Sequence, residues 1–127
     1  MPIINNLEEL NAMVARLQAV LPRLCPRRPE TLMYAYYTHE GYKWKFYIGA
    51  FGPNDGYGDP IFWGYGVPSD GWMAWSLAHW RDDFQKGPLD PRAFMIIELL
   101  ENPTPIKDLL ESGTFSSHYP PPRFVEV

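Results

Sequence analysis

The lengths of the links between alternating segments constrain the fold of this chain more than any other feature. Between residues 32 and 75, four segments follow a hydrophobic period of two, with bounds at 32–37, 42–51, 61–67 and 72–75. Parallel neighbours in a sheet need a crossover of about a dozen residues or more, and each link here is shorter. The sequence therefore predicts a four-stranded antiparallel meander over residues 32–75.

The links themselves have the composition of turns. Residues 38–41 (THEG) end in glycine, which is typical of short hairpin loops. Residues 52–60 (GPNDGYGDP) and 68–71 (PSDG) are dense in turn-forming residues. Gly64 and Gly66, inside the third segment, indicate a bulge or a close approach of another backbone.

A helix is predicted before the meander. Asn6 is suited to be its N-cap, with Glu9 as the capping-box partner. An apolar stripe with spacings of three and four follows, at Leu7, Leu10, Val14, Leu17 and Leu21. Pro22 disfavours helix at the residue before it, so we expect the helix to cover residues 7–20. Residues 23–30 are a Pro- and Arg-rich connector.

Residues 76–112 are predicted to form a helix, a strand and a helix. Ser76 is suited to cap the first of these, which Gly87 would close at the C′ position. The apolar segment 94–100 favours a buried strand, with a helix as the open alternative. Thr104 as N-cap and Pro105 at the first helical position predict a short helix through residue 111. Residues 114–127 hold three consecutive prolines and are expected to run extended.

These elements predict a single α+β domain over residues 1–127. We expect an antiparallel meander sheet of four to five strands, with the N-terminal helix and two shorter helices packed on one face. With 46% hydrophobic and 20% charged residues, the chain is globular in composition. No signal peptide or membrane-spanning segment is evident in the sequence, so we expect a cytoplasmic protein with no membrane partner.

The charge balance and the single cysteine narrow the function classes. A formal net charge of −4 argues against a general nucleic-acid binder. One cysteine, Cys25, excludes an internal disulfide. Arg23, Arg27 and Arg28 lie near it and could lower its pKa, but the favoured interpretation is a half-buried apolar residue at the end of a helix.

Several short segments resemble one family. WKFY at 44–47, IFWGYG at 61–66, GWMAWSL at 71–77 and PTPIKDLL at 103–110 are similar to segments of small uncharacterised proteins carried by plasmids and integrative conjugative elements. The resemblance covers residues 31–112 and brings no catalytic residue. It implies a mobile-element setting, such as a phage or plasmid, where small proteins often bind host machinery.

Candidate catalytic groups have simpler interpretations. The histidines at 39, 79 and 118 lack a partner at metal-ligand spacing, and His79 with Asp83 is better interpreted as a solvated pair on one helix face. Asp55 and Asp59 are too few for a calcium loop. No serine lies in a nucleophile-elbow sequence and no glycine pattern fits a phosphate loop. We therefore expect no catalytic residue, no metal and no cofactor, with a small hydrolase built around His79 or His39 as the weakest alternative.

Two groups of residues remain as speculative partner-binding positions. Lys43, Lys45 and Tyr47 alternate along one strand, and Tyr34 and Tyr36 extend them on the neighbouring strand. Aromatic and basic side chains together are typical of single-strand nucleic-acid binders and of protein interfaces, although a solvated sheet face fits equally well. From residue 82 onward, starting with Asp82 and Asp83, eight acidic and four basic residues could instead face a basic partner.

The leading hypothesis is a non-enzymatic protein–protein interaction module from a phage or plasmid. It would inhibit or modulate a host protein, such as a defence nuclease complex, in the manner of an anti-CRISPR or anti-restriction protein. A small nucleic-acid-binding module using the aromatic and basic strand face is the alternative. The chain is expected to be a monomer or a weak homodimer.

Overall fold

The computed structural model describes residues 3–41, 43–54, 56, 58–86 and 95–111, with the backbone alone at 53, 54, 83–86 and 111. Nine elements lie in these residues. In chain order they are β1 (Ile3–Ile4), α1 (Leu7–Val20), β2 (Leu32–His39), β3 (Lys45–Asn54), β4 (Pro60–Val67), β5 (Gly71–Ser76), α2 (Leu77–Lys86), β6 (Met95–Pro105) and α3 (Ile106–Glu111). The structure confirms the predicted α+β class and the order of every predicted element.

The strands form one six-stranded antiparallel sheet with the spatial order β1-β6-β2-β3-β4-β5. β2 to β5 are the predicted meander. β6 returns from the β5 side to lie beside β2, where Tyr37 pairs with Ile97. β1 was not predicted, because its two residues carry no local strand pattern and pair only with Met95 and Ile96.

α1 begins and ends where the sequence predicts. The Asn6 side chain accepts a hydrogen bond from the backbone N–H of Glu9 at 2.8 Å. The Glu9 carboxylate in turn accepts the N–H of Asn5, one residue earlier than a capping box requires. Four apolar side chains of the helix are buried: Leu10, Met13, Val14 and Leu17.

The two faces of the sheet carry separate apolar cores. Phe46 and Ile48 belong to the larger core, which α1 and α2 cover, with Trp80 of α2 fully buried there. Tyr47 lies between them in the strand and so points to the other face, where it packs with Ile106 and Leu110 of α3. The fold differs from the prediction in this respect, since α3 packs opposite α1 and α2.

Two helix caps were predicted after the meander, and the structure confirms Ser76 but not Thr104. Ser76 accepts the N–H of Ala78 through its hydroxyl at 3.1 Å, which confirms it as a cap. The predicted cap at Thr104 is wrong, because β6 continues through Thr104 and Pro105 in register with the start of β2. α3 is capped instead by carbonyl groups of the segment before β2.

Some sequence predictions lie outside the described residues. They are Gly87 as a helix C′ residue, Asp55 in the loop at 52–60, and the extended tail at 114–127. Among the helices that the structure describes, none has the length and apolar character needed to cross a membrane.

Candidate partner-binding site

Tyr36, Lys45 and Tyr47 lie together on the sheet face that α3 covers. Tyr36 and Tyr47 pair across β2 and β3, with ring centroids 6.4 Å apart. The Lys45 ammonium lies 4.8 Å from the centre of the Tyr36 ring, a cation–π contact. Tyr47 is only 2% exposed, since α3 packs on it. In this conformation Tyr47 offers no surface on which a nucleotide base could stack.

Tyr36 also joins β2 to β6. Its hydroxyl donates a hydrogen bond to Glu98 at 2.5 Å. Burial raises the pKa of Tyr36 above its usual value, and the hydrogen bond and negative charge of Glu98 raise it further. Burial likewise raises the pKa of Tyr65, the next aromatic residue in the same cross-strand row. In this row Tyr47 and Tyr65 are buried and Tyr36 is half-buried.

The other predicted binding residues lie elsewhere. Tyr34 packs against the larger core, because a register shift between Met33 and Ala35 interrupts the alternation of β2. Lys43 is exposed just before β3, and Asp82 is exposed on α2. The side chain of Asp83 lies outside the described residues. Tyr34 therefore does not extend the face that Tyr36, Lys45 and Tyr47 share.

Two histidines lie in one aromatic cluster beside the larger core, which local sequence patterns do not predict. Tyr37 contacts the rings of His39, Trp44, Trp75 and Trp80, with centroids 5.3 to 5.6 Å apart. His79 stacks beside Trp75 at 4.9 Å and accepts the N–H of Ser76 at 3.3 Å. His39 is hydrogen-bonded to the Tyr37 hydroxyl at 2.9 Å. Within the described residues, no three His, Cys, Asp or Glu side chains are grouped so as to hold a metal ion.

A groove of about 430 Å³ lies between the start of β2 and the connector, which spans residues 21–31 in the structure. Its apolar walls are Pro22, Leu24, Pro26, Leu32 and Tyr34, and Arg28, Glu30 and Thr31 supply the polar part. Leu24 is 79% exposed and Leu32 is 41% exposed, and Val20 beside the connector is 47% exposed. Two of the five exposed large apolar side chains in the described residues, Leu24 and Leu32, therefore line the groove, and neighbouring exposed apolar side chains are typical of an interaction surface.

The connector is held on the sheet at several points. The Pro22 carbonyl accepts the N–H of Phe51 at 3.0 Å, and the carbonyls of Thr31 and Pro29 accept the first two N–H groups of α3. The hydroxyl of Thr31 donates to the carbonyl of Pro26 within the connector. These bonds anchor both ends of the connector on the folded sheet and α3, and the groove lies between them.

The connector and the start of β2 pass close to Gly49 of β3. An added Cβ at Gly49 would lie 3.1 Å from the Cys25 sulfur and 3.1 Å from the Leu32 carbonyl oxygen. Gly49 is the extra residue at a register shift between β3 and β4, so the strand bulges where the connector crosses it. Glycine at this position therefore allows the connector to pack against β3.

The charge of the connector is opposite to that of the whole chain. Arg23, Arg27 and Arg28 are exposed, and Glu30 is the one acidic residue of the connector. The Arg23 guanidinium lies 4.4 Å from the centre of the Phe51 ring. Of these arginines only Arg28 lines the groove, together with Glu30, whereas Arg27 lines a separate small pocket with Cys25. The charged lining of the groove is therefore balanced.

Cys25 belongs to the connector, its side chain faces Gly49 of β3, and its thiol is protonated at neutral pH. Burial raises its pKa from 9.0 to about 11, and the nearby positive charge of Arg27 offsets this only in part. The thiolate is the nucleophilic form, so the neighbouring arginines do not make this cysteine reactive at neutral pH.

No family model, no curated protein and no solved structure matches this chain. The groove therefore has to be interpreted from its own residues. Sequence reasoning missed it because residues 23–30 were interpreted as a connector alone. The signal that was available is Leu24, an apolar residue placed between arginines and prolines with no helix or strand to bury it.

Proposed function

We propose that this chain is a non-enzymatic protein-binding module that holds part of its partner in the groove beside the connector. The observation that carries the proposal is the exposure of Leu24, at 79%, on a segment whose two ends are anchored by hydrogen bonds to β3 and α3. An exposed apolar side chain on an anchored segment favours docking, because less conformational entropy is lost when the partner binds.

The rim of the groove indicates the chemistry of the partner. Arg28 and Glu30 lie beside apolar walls, so the complementary surface carries an apolar side chain flanked by groups of both charges. A nucleic acid would pair with Arg28, but Glu30 would repel it and the apolar walls would stay unfilled. A protein segment with both features satisfies each of them.

The biological setting of the proposal rests on the resemblance of residues 31–112 to small proteins of plasmids and integrative conjugative elements. In that setting the partner is a host protein in the cytoplasm, such as a component of a defence nuclease complex, and binding inhibits or modulates it. The groove supports the binding step of this proposal, and the resemblance supports the identity of the partner's class.

Capture from bacterial lysate tests the proposal. The tagged chain, its Leu24→Glu variant and a Ser69→Glu variant are each incubated with lysate, with and without nuclease, and bound proteins are identified by mass spectrometry. We expect one host protein to be captured by the wild type and by Ser69→Glu, with or without nuclease. Capture by Leu24→Glu falls at least about tenfold, which corresponds to about 1.4 kcal/mol.

Ser69 is a matched control because it is exposed and lies in the turn after β4, at the opposite end of β3 from the connector. The two variants therefore add the same charge at distant surface positions. Partners that disappear with nuclease would favour the nucleic-acid-binding alternative, and equal capture by all three proteins would exclude the groove.

A further inference from the structure

Among the described residues, the outer edge of β5 has no neighbouring strand. β5 is the last strand of the sheet and pairs with β4 alone. In an antiparallel ladder every second residue directs its N–H and C=O groups away from the neighbouring strand. For residues 71–75, no backbone partner lies on that outer side among the residues that the structure describes.

The sequence of this edge lacks the usual protective features. Natural edge strands are commonly short, charged or interrupted by proline, which prevents them from pairing with other chains. β5 reads GWMAWS over six residues, with neither charge nor proline. Trp72, Met73 and Trp75 are half-buried and Ala74 is exposed. Trp63, directly opposite Ala74 on β4, is 37% exposed.

The opposite edge of the sheet, formed by β1 and β6, differs from the β5 edge in length and charge. β1 has only two residues, and it covers only Met95 and Ile96 of β6. Beyond β1 the outer strand β6 carries the carboxylates of Glu98 and Glu101. That end is therefore both short and charged, and only the β5 end is long and neutral.

We propose that the outer edge of β5 pairs antiparallel with the same edge of a second copy of this chain, joining two sheets into one. A strand that meets itself about a two-fold axis forms an isologous contact, which is the commonest way for identical subunits to associate. This pairing suits β5 because an uncharged strand places no like charges opposite each other. In the joined sheet, the half-exposed rings of Trp63 and Trp72 in one copy would be followed by the same rings of the other copy.

A second copy fits the edge better than a charged partner strand does, since β5 offers no charge to select one. The net charge of the whole chain opposes association, because each copy has a formal net charge of −4 and the two copies repel each other. The pairing is therefore weak at low ionic strength and becomes tighter as salt screens the repulsion.

Sedimentation velocity tests the proposal on the full chain. The wild type is run from about 5 µM to about 500 µM, together with Ala74→Lys and Ala74→Thr, since dimerisation depends on concentration by mass action. Ala74 is exposed, so neither change disturbs the core, and circular dichroism verifies the fold. We expect the wild type and Ala74→Thr to sediment as dimers at the upper end. Ala74→Lys requires at least about tenfold higher concentration to do so, because lysine on an edge strand opposes pairing.

Amide hydrogen exchange locates the contact. We expect alternate amides within residues 71–75 to become more protected as the concentration rises. A wild type that remains monomeric throughout, or a lysine variant that dimerises like the wild type, would overturn the proposal. Protection of β5 that appears only when another protein is added would assign the edge to a foreign strand and overturn it also. Leu24→Glu should dimerise normally, so failure of the groove and failure of the edge are distinguishable.

Discussion

The Tyr36 hydroxyl and the Glu98 carboxylate form a hydrogen bond of 2.5 Å that joins β2 to β6. Both side chains are half-buried, and β6 is paired to β2 only because the chain crosses over from the far end of the sheet. A short bond to a carboxylate is among the stronger hydrogen bonds in proteins. The bond therefore stabilises the pairing of β6 with β2.

Tyr36→Phe is expected to lower the free energy of unfolding by about 1–2 kcal/mol, because Glu98 loses its donor while half-buried. Denaturant unfolding at neutral pH measures this. Tyr34→Phe, on the same strand, is the matched control. We expect it to change the free energy of unfolding by no more than about 0.5 kcal/mol, as at other positions where no hydrogen bond is lost. Equal losses in the two variants would show that the bond to Glu98 contributes nothing.

Cys25 gives the chain a defined response to alkaline pH. The folded chain favours the neutral thiol, whose pKa is raised from 9.0 to about 11. The stabilisation is complete below pH 9 and is lost as the pH rises toward 11, because the unfolded chain ionises first. We expect the wild type to lose more stability than Cys25→Ala between about pH 8.5 and about pH 10.5.

Denaturant unfolding of both proteins at the two pH values measures this difference, and ionising tyrosines affect the two proteins alike. Parallel losses would contradict the burial of the thiol. Alkylation by iodoacetamide at neutral pH supplies an independent measurement, in which the folded chain reacts more slowly than the unfolded chain.

Gly64 is required by a close approach of two backbones. A Cβ at this position would lie 1.7 Å from the carbonyl oxygen of Tyr47. Gly64→Ala forces β3 and β4 apart, and we expect it to cost at least about 2 kcal/mol of stability, in the upper part of the usual range for overpacking. Thermal and denaturant unfolding measure this cost.

Gly41→Ala is the comparison for that variant. Gly41 has a φ of 85° and an open space around its Cβ position, so alanine there meets conformational strain alone. That strain costs about 1–2 kcal/mol. If Gly64→Ala were no more destabilising than Gly41→Ala, the close approach of β3 and β4 at this point would be incorrect.

Arg81 on α2 holds the start of β4 through a two-bond contact with Asp59, at 2.7 and 3.3 Å. The arginine side chain is 38% exposed, so water weakens the pair. A double-mutant cycle with Arg81→Ala and Asp59→Ala should give a coupling energy of about 0.5–1 kcal/mol. Strict additivity of the two single variants would contradict a direct contact.

Local patterns predicted most of the fold, because they depend on near neighbours in the chain. The cap at Asn6 and the stripe that follows it predict α1 with its observed bounds, Leu7–Val20. The short links predict the antiparallel meander from β2 to β5. Each of these features is decided within a few residues of sequence.

Contacts between distant segments were not predictable in the same way. β1 pairs with β6 across the length of the chain, and its two residues have no pattern of their own. Thr104 and Pro105 have the local pattern of a helix start, but pairing with the start of β2 holds them in β6. Tyr47 alternates with core residues as predicted, yet α3 covers the face to which it points. The groove was not predicted for the same reason, because it forms only where the connector crosses β3, a contact between distant segments.

Crosslinking from position 24 tests the central claim most directly. A photo-crosslinking amino acid is placed at position 24 or, as a control, at the exposed position 69, and the full chain is irradiated in bacterial lysate. If the groove beside the connector binds a host protein, position 24 yields a covalent adduct with one protein and position 69 yields none. An adduct from position 69 alone, or none from position 24, would contradict the assignment of the groove as the binding site.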